Sequence, residues 1–210
     1  MTASTETVLF DYWRSSASYR VRIALGLAGL PWQTVPIDLV EGNQRAPEHL
    51  DRNPQGLVPV LEIDGLRLTQ SLAIIEYLDE TRGLELLPAT ASERARVRAL
   101  ADAIAMEIHP VCNLRVAKHA VSASNGQLTM KDWMQAFIAP GLAAVEAMAE
   151  GPDFLYAGRL SLADLCLVPQ IYNARRWEVD LSGFPKLVEI DAHLNTIPAF
   201  AAAHPDNSPR

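Results

Sequence analysis

Cysteine is almost missing from this chain of 210 residues: Cys112 and Cys166 are the whole supply, far apart and both within helical patterns. That fits two reduced core thiols better than a disulfide framework or a metal site. Long apolar runs are missing too. No stretch approaches the ~20 residues that span a bilayer, and neither end pairs a charged segment with an apolar one. A soluble, cytoplasmic protein is expected. Lysine is scarce, at 3 residues against 15 arginines, no basic run occurs, and the net charge is −7. A nucleic-acid surface needs concentrated positive charge and is excluded. What the chain does have is apolar material, 49% of it, enough for one large core or two small ones. Small molecules or protein are the partners left.

The first eighty residues alternate between short β-like and helical runs, the mark of an α/β unit. Val8-Leu9-Phe10 starts as a strand. Val21, Ala24, Leu25 and Ala28 follow helical spacing, and Gly29 and Pro31 stop it. Thr34 to Leu39 reads as a second strand, followed by a polar loop from Glu41 to Pro54. The runs Val58 to Ile63 and Leu66 to Thr69 flank Asp64-Gly65, a hairpin signal. Ser71 to Thr81 is then a helix with Leu72, Ile75 and Leu78 inward.

Residues 84–89, between Gly83 and the residues after Pro88, show no periodicity and read as a linker. Everything after it is helical in pattern. Thr90-Ala91-Ser92-Glu93, Thr129-Met130-Lys131-Asp132 and Ser161-Leu162-Ala163-Asp164 each have capping-box spacing, and three in succession indicate a helical bundle. The domains are therefore 1–83 and 90–210.

Between the first strand and first helix lies Trp13-Arg14-Ser15-Ser16-Ala17-Ser18-Tyr19-Arg20. This strand-to-helix turn is rich in hydroxyls. It can set serine side chains and free N–H groups around an anion, because a helix start has unpaired donors and a positive dipole end. Two serines before a helix are also ordinary N-caps. Arg14, in the turn, is placed to meet a carboxylate, whereas Arg20 fits a surface charge equally well.

A βαβ-ββα domain ahead of an all-helical one, with Val58-Pro59 before a strand and Gln70-Ser71 at a helix start, resembles the cytosolic glutathione transferases. Ser15 to Leu25 is similar to the zeta-class signature, as are Gln70 to Leu78 and Ala163 to Gln170. The resemblance implies a thioredoxin-like N-terminal domain, glutathione as cofactor and a homodimer. It also implies the activity of the class, cis-trans isomerisation of maleylacetoacetate or maleylpyruvate in aromatic amino acid catabolism. One position departs from it: the class has Ser-Ser-Cys, and the third residue here is Ala17. Reactions needing a protein thiol, such as reductive dehalogenation, are put in doubt, whereas isomerisation needs only the thiol of glutathione.

The same resemblance assigns roles. Ser15 and then Ser16 hold the thiolate, and Val58-Pro59, a cis peptide in the family, pairs with the cysteinyl part. Gln70 and Ser71 take the γ-glutamyl carboxylate, Gln44 the glycyl end. The second substrate is expected between the domains. His109 and Asn113, at i and i+4, share a helix face, and Arg115 lies off it. Asn113 matches a zeta position, Arg115 an arginine of bacterial maleylpyruvate isomerases, and Arg176 an arginine reaching the substrate. His109 fits a satisfied interior histidine as well. Arg14 and Arg176 would clamp the carboxylates. Two other readings stand beside the isomerase: a transferase conjugating glutathione to electrophiles such as α-halo acids, and a binding module without turnover.

Overall fold

A short continuous apolar run, Val8-Leu9-Phe10, opens β1 (Val8–Asp11), which is buried from Leu9 on, and the hydroxyl-rich turn leads into α1 (Ser16–Leu27). The computed structural model describes residues 6–209. The chain continues through β2 (Gln33–Pro36), α2 (Pro47–Arg52), β3 (Val60–Ile63), β4 (Leu66–Thr69) and α3 (Ser71–Arg82). The sheet order is β2-β1-β3-β4, with β1 and β2 parallel and the other pairs antiparallel. This is the thioredoxin-like arrangement. Asp64 and Gly65 turn the β3–β4 hairpin with φ of 53° and 76°, as a two-residue turn of this hand demands.

The second strand is shorter than its apolar pattern, which runs to Leu39. Pro36 has no N–H to offer a ladder, and the Asp38 carboxylate accepts from the Val40 and Glu41 N–H groups and bends the chain away. In α3, Ile74 is buried beside Ile75 and Leu78, while Leu72 sits at the boundary. Helix α1 is covered on all sides: Tyr19, Val21, Ile23 and Leu25 are buried, and so are Ser18, Arg20 and Arg22.

Two units divide the chain, one reaching Glu85 and taking in the residues from Ile197 onward, the other running Leu86–Thr196. The second unit holds α4 (Ala91–Asp102), a π-helical segment (Ala103–Ile108), α5 (His109–Val111), α6 (Leu114–Ala123), α7 (Met130–Met148), α8 (Leu162–Arg176) and α9 (Pro185–Leu194). Thr90, Thr129 and Ser161 cap α4, α7 and α8, the last two in full capping boxes with Asp132 and Asp164. Helix α8 forms the middle of this unit, buried from Leu162 through Ile171. Gly141 on α7 lies against Ile108; a methyl group there would come within 2.4 Å of the isoleucine side chain.

The last helix, α10 (Pro198–Ala202), belongs with the first unit and not with the helices before it. It packs on α1, where a Cβ at Gly26 would stand 3.2 Å from that of Ala199, a tight approach that the glycine relieves.

Candidate active site

The register of the sheet gathers three segments at one end. Phe10 pairs with Val60 and Val60 with Thr69, so the turn after β1, the residues before β3 and those after β4 leave the sheet together. These are Arg14–Ser16, Val58-Pro59 and Gln70-Ser71, all named from sequence.

Ser15 is the N-cap of α1, its Oγ accepting from the Ser18 N–H at 3.2 Å. The ordinary capping role is therefore present, but it uses only a lone pair. The hydroxyl hydrogen remains for a ligand. Ser16 is buried in the first helical turn, which contains no acidic residue to neutralise the positive helix end. Arg14 lies over the Trp13 ring at 4.3 Å and donates to the Tyr12 hydroxyl at 3.3 Å. It makes no ion pair among the described residues, and its Nε is buried without a partner. Aromatic rings hold this cation in place and leave its charge uncompensated.

The turn is anchored from below by a residue that sequence reasoning passed over. Arg22 is buried and paired with Asp11 through Nη1 at 2.7 and 2.9 Å, while its Nη2 donates to the Trp13 carbonyl at 3.0 Å. No local pattern signals that pairing, since it joins a strand to a helix.

The Val58-Pro59 peptide is cis. The Leu57 carbonyl ahead of it accepts from His49 Nε2 and Asn53 Nδ2, each at 2.9 Å. Gln70 caps α3 with φ of 68°, and its amide donates to Gln55 Oε1 at 2.7 Å. Ser71 is buried and accepts from Arg20 Nη1 at 3.3 Å. Arg20 is 2% exposed, so the surface-charge reading of it fails. Gln44, half-buried in a turn of 3-10 helix, has its Oε1 buried with no hydrogen-bond partner. Gly56 permits that turn to come close, since a Cβ there would stand 3.0 Å from the Gln44 carbonyl oxygen.

In the second unit the sequence geometry needs correction. His109 and Asn113 do not share a helix face, because α5 ends at Val111, Cys112 turns, and Asn113 is extended as the N-cap of α6. The Asn113 Oδ1 accepts from the Arg115 N–H at 3.0 Å, which is how an asparagine restarts a helix. Cys112 accordingly lies in that turn and not in a helix. Arg115 is exposed. Of the arginine pair, Arg175 is held by Asp191 at 2.6 Å, whereas Arg176 closes α8 with its guanidinium over the Trp177 ring at 4.9 Å.

Residues 6–80 match the model of the glutathione S-transferase N-terminal domain. The chain is 60% identical to the maleylacetoacetate isomerase of Rhizobium meliloti, over 98% of this chain and 99% of that one. It is 42% identical to the mouse maleylacetoacetate isomerase, over 96% and 94%. Among solved structures, a holo maleylpyruvate isomerase, described as a bacterial zeta-class glutathione S-transferase, superposes with a TM-score of 0.91 at 36% identity, covering 96% of this chain and 98% of its own. A maleylacetoacetate isomerase from Methylobacterium extorquens, with malonate and glutathione bound, gives 0.90 at 36% identity over the same shares.

Proposed function

The chain belongs to the zeta class of the glutathione transferases, and from that membership we propose that it isomerises maleylacetoacetate or maleylpyruvate, cis-configured acids, to their trans forms with glutathione as cofactor. The observation that carries this reading is the start of α1: a capping serine with a hydroxyl hydrogen to spare, no acid in the first turn, and an arginine beside it that no carboxylate among the described residues pairs with.

The donors and acceptors fit the tripeptide. Ser71 offers a hydroxyl beside a buried guanidinium, suited to the γ-glutamyl carboxylate. Gln70 adds an amide, and the Val58 backbone before the cis bond offers an N–H and a carbonyl to the cysteinyl part. The orphaned Gln44 Oε1 suits an N–H at the glycyl end. When bound, glutathione supplies a thiol whose conjugate base adds reversibly to an electron-poor cis double bond and leaves again, so that the bond is free to turn in between.

The chain's own residues set the conditions for that. Lowering a thiol pKa by two units from about 8.5 takes roughly 2.7 kcal/mol. A hydrogen bond to the charged sulfur from Ser15 contributes about 1.5–3 kcal/mol, and the helix end with the Ser16 N–H about 0.3–1 more. Together these reach the requirement. Arg14 takes a carboxylate of the acid and the negative charge that develops on its carbonyl oxygens. Arg176 is assigned the other carboxylate, and His109, Asn113 and Arg115 further substrate contacts.

Proton NMR with either acid and a tenth of an equivalent of glutathione tests the function. Complete conversion to the trans acid with glutathione recovered supports isomerisation, and mole-for-mole loss of the thiol overturns it in favour of conjugation. Class membership further suggests a cytoplasmic homodimer serving aromatic amino acid catabolism; light scattering gives the subunit count.

A further inference from the structure

We infer that Arg20 is a positioning residue for glutathione, acting through Ser71 to select the γ-glutamyl α-carboxylate. The inference rests on the assignment of that carboxylate to Ser71. Arg20 comes from α1, one turn beyond the residues that face the sulfur, and its Nη1 reaches Ser71 Oγ on α3, 51 residues along the chain. A guanidinium has donors only. Ser71 Oγ must therefore accept from it, which leaves the serine's own hydrogen to be donated elsewhere. A hydroxyl that could otherwise rotate and back-bond to its helix is fixed as a donor.

Charge acts in the same direction. Arg20 stays protonated at any working pH, and burial weakens the screening of its field. The first turn of α3 holds no acidic residue, so an anion beside Ser71 meets the helix end and the guanidinium together. Gln70, the neighbouring amide, spends one of its two Nε2 hydrogens on Gln55, a partner set by an exposed contact. Ser71 is left as the side chain whose orientation the protein sets from beneath. A sulfur site at the start of α1 and a carboxylate site at the start of α3 are thus tied together by one side chain of α1.

The test truncates protein and peptide together. Glutathione and 4-aminobutyryl-cysteinyl-glycine, which lacks the α-carboxylate, are titrated by calorimetry into wild type, Arg20→Met and Arg20→Lys. Wild type should prefer glutathione by about tenfold or more, the ratio one charge-assisted hydrogen bond supplies. Arg20→Met should bring the ratio to within about threefold of unity. Arg20→Lys keeps the buried charge but loses the planar fork, and its ratio should fall between the two; it carries the test if the methionine variant does not fold. A purely structural arginine would weaken both peptides equally, so an unchanged ratio overturns the inference. A wild type that binds both peptides alike overturns the Ser71 assignment and the inference with it, whereas preserved discrimination in the variants overturns Arg20 alone.

Discussion

A single hydroxyl at position 15 carries an observed role and a proposed one, and different substitutions separate them. Its oxygen caps α1 by accepting from Ser18, and its hydrogen is available to a sulfur anion. Ser15→Ala removes both, so kcat/KM should fall about 10²–10³-fold, as for loss of an oxyanion donor, with about 1 kcal/mol of stability. Ser15→Asp keeps a good cap and supplies no donor at neutral pH. It should hold its melting temperature and lose more activity than the alanine variant, because it sets a negative charge against the thiolate. Steady-state kinetics beside thermal melts check both outcomes. The thiols make a second residue-level prediction. Burial pushes Cys112 up to about 11, Cys166 is wholly buried, and Ala17 stands where the class has a cysteine. Treatment with iodoacetamide followed by its removal should therefore leave isomerase activity intact, and inactivation would mean that a protein thiol takes part. The serines and Ala17 were legible because a turn and its helix start are local. The burial of Arg20 and Arg22 was not. A helix covered on every side shows no polar face in its sequence, and the acceptors of these arginines lie on distant elements, at Ser71, Asp11 and the C-terminal segment.

Among the elements, α8 shows best how local chemistry fixes a helix. Asp164, three residues after Ser161, accepts from the Ser161 N–H and Oγ and from the Leu155 N–H, each at 2.8 Å, so it closes the capping box and also ties down the loop before it. Burial nonetheless dominates and pushes its carboxyl up to about 6. Between the unfolded value near 3.8 and that value the folded chain holds a proton the unfolded chain has released. The stability from this group is fully present below about pH 4 and is lost as pH rises through 6. Asp164→Asn cannot titrate, so the stability gap between wild type and variant should shrink from pH 4 to pH 7 by on the order of 3 kcal/mol. Urea melts of both proteins across that range measure it, and a pH-independent gap would refute the burial argument. The capping boxes were readable because both partners fall within four residues. The break at Cys112 was not readable as a periodicity, since helical spacing continues across it on paper. Its signal was Asn113 itself, a capping residue directly before an amphipathic run. The π-helical segment had a local signal that periodicity does not weigh: Pro110, just beyond it, has no N–H to give the carbonyl four residues back.

For the whole molecule, the two-part plan follows from composition and pattern, but the place of the last residues does not. Periodicity tells which face of a segment is apolar and never which unit will cover it, so residues after 196 read as a continuation of the helical part. The link that assigns them to the first unit is the Arg22 Nε donating to the Ala203 carbonyl at 3.1 Å, across 181 residues. The His204 ring adds an edge contact to Tyr19 at 6.2 Å, and Ala199 seals Gly26. The same guanidinium holds the Trp13 carbonyl at the head of the turn proposed to face the sulfur. The C-terminal segment and the turn therefore share one anchor. A chain ending at Thr196 should lose an acceptor for a buried arginine, a cost of about 1–3 kcal/mol, and uncover one side of α1 as well. Its melting temperature should fall, the amides of Trp13 to Ser16 should exchange faster with solvent, and glutathione should bind more weakly. Hydrogen exchange resolved at those amides separates this account from a passive tail, which would lower the melting temperature while leaving exchange in the turn unchanged.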